Sequence, residues 1–120
     1  LGPAVGLAVL REVVSQGLPE RARRLGAEIR REIESWNLPV VQGVRGLGLL
    51  LGIGLNPEMV AAPEGKTIAS VVVEALRQEG LLSVPAGPET VRLLPPLNVS
   101  EEEIQQALAI IRRVLKTYAK

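Results

Sequence analysis

Arg92 is the side chain in this sequence best placed to do chemistry. It is the only charge in Thr90-Val91-Arg92-Leu93-Leu94-Pro95-Pro96-Leu97, a run that reads as a strand followed by a turn. Strand alternation sends it to the face opposite Val91 and Leu93. On a buried face an unpaired guanidinium is costly, and Glu89 is the only carboxylate close by in the chain. Two readings therefore stand. One is a substrate carboxylate gripped by the planar guanidinium fork; the other is a structural arginine, on an edge strand or in an internal salt bridge. A guanidinium turned to bulk water, or locked to an internal carboxylate in a fully sealed globule, would defeat the substrate reading.

The other candidates give way to simpler explanations. Gly46 and Gly48 begin a dinucleotide-type glycine pattern, but Leu51 occupies the third glycine position. The segment also continues as strand, which leaves no helix N-terminus to hold a phosphate. Ser15, Ser35, Ser70, Ser83 and Ser100 have no activating neighbour, and Ser100 reads as a helix cap. Glu101, Glu102 and Glu103 suit the positive end of a helix better than an acid–base pair. Lys66 reads as an exposed loop charge. With no histidine and no cysteine, the usual zinc and iron–sulfur ligands and all disulfides are absent.

The elements that must position Arg92 can be read from periodicity. Pro3 to Val14 is helix-like, and Gly17 ends it. A second helix starts near Pro19 and carries Ala22, Leu25, Gly26, Ile29, Ile33 and Trp36 on one stripe. Arg23, Arg24, Arg30 and Arg31 lie opposite that stripe. Asn37-Leu38-Pro39 stops the helix. Val40 to Leu55 alternates small and large residues and reads as a strand buried between packed layers, with glycines where another backbone comes close. Asn56 to Gly65 is a loop, Lys66 to Glu79 a helix apolar at Ile68, Val72, Ala75 and Leu76, and Gly80 its left-handed cap.

Leu81 to Val84 and Thr90 to Leu93 read as short strands around the turn Pro85-Ala86-Gly87-Pro88, and Pro95-Pro96 ends the second. In the last helix Ser100 and Glu103 form a capping box, Val99 staples against Ile104, and Ile104, Ala107, Leu108, Ile111 and Leu115 form the buried stripe. These elements predict an α+β domain: helices packed on a small, mainly antiparallel sheet.

Length and composition bound what such a domain can be. The 120 residues suit one domain, 1–120. Hydrophobic residues make up 47% and charged residues 22%, which fits a folded chain rather than a disordered one. Trp36 and Tyr118 are the only aromatic residues, so the core is aliphatic. A net charge of +1 gives no bulk attraction for nucleic acid. No apolar run is long enough to cross a bilayer, and no signal peptide is apparent. Opening at Leu1 with an apolar pattern already under way, the chain reads as a fragment.

Four segments in register carry a resemblance: Val44-Arg45-Gly46-Leu47-Gly48-Leu49-Leu50-Leu51-Gly52-Ile53, Glu79-Gly80-Leu81-Leu82, Val91-Arg92-Leu93-Leu94-Pro95-Pro96-Leu97 and Ser100-Glu101-Glu102-Glu103-Ile104. Their order and spacing resemble the C-terminal small domain of class III (subgroup II) pyridoxal-phosphate aminotransferases, most of all the acetylornithine/succinyldiaminopimelate branch. Leu1 to Leu10 resembles the helix after that family's Gly-Asn-Pro segment, so the resemblance spans the chain.

The resemblance implies a cytoplasmic, fold-type I homodimer acting on small amino-acid and keto-acid substrates, with no nucleic acid or membrane partner. The implied parent reaction moves the amino group of N-acetylornithine to 2-oxoglutarate in arginine biosynthesis. By position in the R-x-x-P-P motif, Arg92 is implied to bind a substrate carboxylate, whereas Arg45 is implied to be structural. The family's large domain carries the lysine that holds pyridoxal 5′-phosphate. Lys66, Lys116 and Lys120 do not match its motif, so no catalytic or cofactor-binding residue is expected here, nor a lastingly bound cofactor or activity in this chain alone. The competing expectation is a stand-alone amino-acid-binding or dimerisation α+β module.

Overall fold

The computed structural model describes residues 18–95 and 98–118. The helix predicted over Pro3 to Val14 lies outside the described residues, as do Pro96 and Leu97 of the proline turn. Three helices and four strands follow one another as α1 (Leu18–Ser35), β1 (Val41–Leu47), β2 (Leu50–Leu55), α2 (Ile68–Gln78), β3 (Ser83–Pro85), β4 (Thr90–Leu93) and α3 (Glu101–Lys116). The strands make one antiparallel sheet in the order β1-β2-β4-β3. The helices pack on one face of it, giving the expected α+β architecture.

Each helix forms where its apolar spacing and ends agree. In α1, Ala22, Leu25, Ile29 and Ile33 are buried and Trp36 is half-buried just beyond the helix, matching the predicted stripe. Burying each large aliphatic side chain contributes about 1.5–3 kcal/mol. Thr67 caps α2, its hydroxyl accepting from the Ser70 N–H, so the helix starts two residues later than Lys66. Ala69, Val72 and Leu76 face the core, and Gly80 follows with φ 96°. The predicted capping box of α3 is present in both directions: Ser100 Oγ accepts from the Glu103 N–H, and Glu103 Oε1 accepts from the Ser100 N–H. Arg21 Nη2 donates to the Val99 carbonyl at 2.5 Å, tying α1 to the start of α3.

The reading of Val40 to Leu55 as a continuous strand is corrected. It is a hairpin, β1 turning into β2 through Gly48 and Leu49. Gly48 (φ 57°) takes the left-handed conformation that reverses the chain, while Gly46 (φ 129°) is still in β1, paired with Leu51. Nor is the segment buried between two layers. Val44, Leu49, Leu51, Ile53 and Leu55 are buried, while Arg45, Gly46 and Leu50 are exposed.

The predicted backbone closeness at the glycines does hold at the turn. A Cβ on Gly26 would lie 1.9 Å from the Gly48 carbonyl oxygen, and one on Gly46 would lie 1.9 Å from the Leu50 oxygen. Helix α1 therefore rests directly on the hairpin turn. The predicted strand pair around Pro85-Ala86-Gly87-Pro88 is present, with β3 spanning Ser83–Pro85 rather than Leu81 to Val84.

Candidate functional site

The four strands together carry only two charged residues, Arg45 and Arg92. Strand β4 alternates as predicted: Val91 and Leu93 enter the core and Arg92 is exposed on the opposite face. Among the described residues the helices cover only one face of the sheet, so Arg92 stands on the one they leave open. The premise of a buried guanidinium is therefore corrected: among the described residues Arg92 faces solvent, the outcome that defeats the argument from burial, and desolvation does not force it to pair. It makes no hydrogen bond or ion pair with any described residue, Glu89 included. The internal salt bridge is thus not formed among the described residues.

The register builds the surroundings of Arg92. Gly52 lies opposite it on β2 and Val84 opposite it on β3. Arg45 lies opposite Gly52 on β1. Directly opposed residues point to the same side of a sheet, so Arg45, Gly52, Arg92 and Val84 form one cross-strand row on the open face. The neighbouring row is Gly43, Gly54 and Thr90. Along β2, then, the floor of this face is glycine, walled by two guanidiniums. Large apolar side chains rim it: Leu50 is 69% exposed, Leu82 71%, Leu94 49% and Val84 37%. An exposed apolar surface around unpaired charge suits binding better than contact with water.

The other candidates do not include Arg92, although the groove next to this face shares Leu82 and Leu94 with its rim. A groove of about 360 Å³ runs between α3 and the end of the sheet, lined by Leu81, Leu93, Ile104 and Ala107 among others, but not by Arg92. The Ser83 hydroxyl has no partner among the described residues and lies on the packed side. Glu101, Glu102 and Glu103 occupy the exposed first turn of α3, as expected. Among the described residues no group of acidic side chains could hold a metal ion, and no helix is long and apolar enough to cross a membrane. Sequence reasoning missed Arg45 as a neighbour of Arg92. The pairing that unites them depends on the hairpin, which was read as one strand.

The family model for aminotransferase class-III matches residues 1–115. Among curated proteins, the acetylornithine aminotransferase of Mycobacterium leprae is 41% identical over 112 residues, covering 93% of this chain and 26% of that protein. The ornithine aminotransferase of Staphylococcus carnosus is 36% identical over 114 residues, covering 95% of this chain and 26% of that protein. Among solved structures, acetylornithine aminotransferase from Elizabethkingia anophelis superposes with a TM-score of 0.78 at 34% identity, over 95% of this chain and 29% of that one. The chain thus spans about a quarter of the length of the curated relatives it matches.

Proposed function

The chain belongs to the aminotransferase class-III family, and from that premise we propose that residues 1–120 form the C-terminal small domain of a pyridoxal-phosphate-dependent aminotransferase in which Arg92 binds a substrate carboxylate. The observation that carries the reading is Arg92 itself: an unpaired guanidinium on an open, apolar-rimmed sheet face, inside the motif on which the resemblance rests. Arginine offers a carboxylate two parallel hydrogen bonds, fixing orientation as well as position. Holding the acid end of the substrate in one place sets where its other end can react.

The residues described here do not fit the cofactor. Lys66 precedes α2 and Lys116 ends α3, both exposed and neither on the Arg92 face. A cofactor-holding lysine needs a pocket that orients it, and none surrounds these two. In this reading the remainder of the polypeptide holds the cofactor and covers the open sheet face, and this segment alone does not transaminate. The same reading takes the parent protein to be a cytoplasmic homodimer of arginine biosynthesis that uses N-acetylornithine and 2-oxoglutarate.

The test is steady-state transamination by the full-length polypeptide with Arg92→Ala and Arg92→Lys. A charge-assisted pair contributes about 2 kcal/mol, so Arg92→Ala raises the KM of a carboxylate substrate roughly 30-fold. Arg92→Lys recovers only part of this, because an ammonium cannot form the two-pronged contact. Unchanged KM values for every carboxylate substrate would refute the assignment.

A further inference from the structure

The geometry points to Gly52 as a positioning residue for Arg92: by carrying no side chain, it leaves the room into which the guanidinium leans with the carboxylate it holds. The inference rests on the reading of Arg92 given above and deepens it.

The surroundings of Arg92 are lopsided. Val84 lies opposite it on β3, and Gly52 lies opposite it on β2. Along its own chain the neighbours on the same face are Thr90 and, just past the strand end, Leu94. Directly opposed Cβ atoms stand about 5 Å apart, so any side chain at position 52 would stand against the stem of Arg92. Val84, Thr90 and Leu94 occupy three sides, and Gly52 leaves the fourth open. The long arginine side chain therefore has its room over β2, above the glycine. Arg45 flanks Gly52 from the other side, but it sits on an edge strand, where a long side chain also has room beyond the sheet.

The fold itself does not ask for glycine at this position. Gly52 is not among the residues with positive φ. A Cβ there would meet the Thr90 Cγ2 at 3.0 Å, and next the Val91 carbonyl oxygen at 3.9 Å. The first is a methyl at the end of a side chain, which can yield by the few tenths of an ångström required. Gly26 and Gly46 differ, since a Cβ on either falls 1.9 Å from a backbone oxygen. A glycine inside a strand weakens it and often marks a place where a ligand or another backbone comes close. At Gly52 no other described backbone does so, and Arg92 stands directly across from it.

The experiment uses the full-length polypeptide with N-acetylornithine and 2-oxoglutarate. It compares Gly52→Ala, Gly52→Val, Arg92→Ala and the double variant Gly52→Val with Arg92→Ala. Gly52→Ala is expected to raise the KM for 2-oxoglutarate about threefold. Gly52→Val is expected to raise it about 30-fold, as far as losing a charge-assisted pair would. The kcat should hold, and the melting temperature should not fall, because valine is the better strand former. In the Arg92→Ala background Gly52→Val should add nothing, since two residues serving one contact are not additive.

An unchanged KM in Gly52→Val, beside a raised one in Arg92→Ala, overturns the inference and leaves the Arg92 reading standing. Losses that multiply in the double variant overturn it too. So does a lower melting temperature, because Gly52 would then be meeting the polypeptide that covers this face. Adding Thr90→Ser to Gly52→Val removes the crowded methyl; if that restores the KM, crowding at Thr90 was the cause and the inference fails. Arg92→Ala without effect on any KM refutes the assignment of Arg92 itself, and this inference falls with it.

Discussion

Replacing Gly26 by alanine tests whether α1 rests on the β1–β2 turn as closely as the structure has it. The added methyl would sit 1.9 Å from the Gly48 carbonyl oxygen, 2.6 Å from its carbon and 3.2 Å from its Cα. All three are backbone atoms, so no rotamer change relieves the overlap. Ordinary contact begins at 3.4 Å, so helix and turn must separate locally by about 1.5 Å, more than a close-packed core absorbs without strain. Overpacking of this kind costs up to about 3 kcal/mol. Alanine's better helix propensity returns about 1 kcal/mol. The expected net loss is about 2 kcal/mol, or roughly 8 °C in melting temperature for a domain of this size.

Urea unfolding of the chain, followed by far-ultraviolet circular dichroism, measures the loss directly. Glu28→Ala, on the exposed side of the same helix, is the control for propensity alone. If Gly26→Ala unfolds at the same urea concentration as the unmodified chain, or a higher one, then α1 does not lie on the turn.

Other outcomes follow from the same packing. Leu76→Ala removes a fully buried side chain between α2 and the sheet and should cost about 2–5 kcal/mol in urea unfolding. Ser100→Ala removes the cap of α3 and should cost about 1 kcal/mol. The Ser100 backbone N–H, and then its hydroxyl, hold the Glu103 carboxyl below the usual glutamate range. Because the folded pKa is depressed, this contribution is present above the unfolded value of 4.5 and fades as the pH falls through the folded one. Carbon-detected NMR titration should show the Glu103 midpoint rising only part of the way in Ser100→Ala, because the backbone N–H at position 100 remains, and a midpoint that rises all the way to the unfolded value would refute that N–H as the larger cause.

Local signals were legible in the sequence, whereas signals that depend on distant pairing were not. The capping box at Ser100 and the α1 stripe each lie within a few turns of chain, where side-chain type and spacing decide the outcome. The β1–β2 turn was missed for a physical reason. Gly46-Leu47-Gly48-Leu49 carries glycine, itself a turn signal, but in a run that alternates small and large residues the same glycines read equally well as close-approach positions in a continuous strand. Placing Arg92 opposite Val91 and Leu93 needed only the period of a strand. Placing it beside Arg45 needed the hairpin.

The open face also escaped the sequence, and the reason bears on function. A sheet with one solvated side ordinarily alternates apolar with polar residues. On this face β2 presents Leu50, Gly52 and Gly54, and Val84 faces out from β3. No lysine, glutamate or glutamine marks the outer positions of β2, so Val40 to Leu55 reads as a strand packed on both sides. That reading is wrong for the described residues by themselves but fits the centre of the face, where β2 presents glycine between the two arginines and Val84 adds an apolar side chain beside Arg92. Burial by the rest of a longer polypeptide, as the proposed function requires, would bring back the desolvation that the solitary Arg92 escapes. The two guanidiniums would then need anions at close range, and a substrate carboxylate would bind more strongly there than on a wet surface.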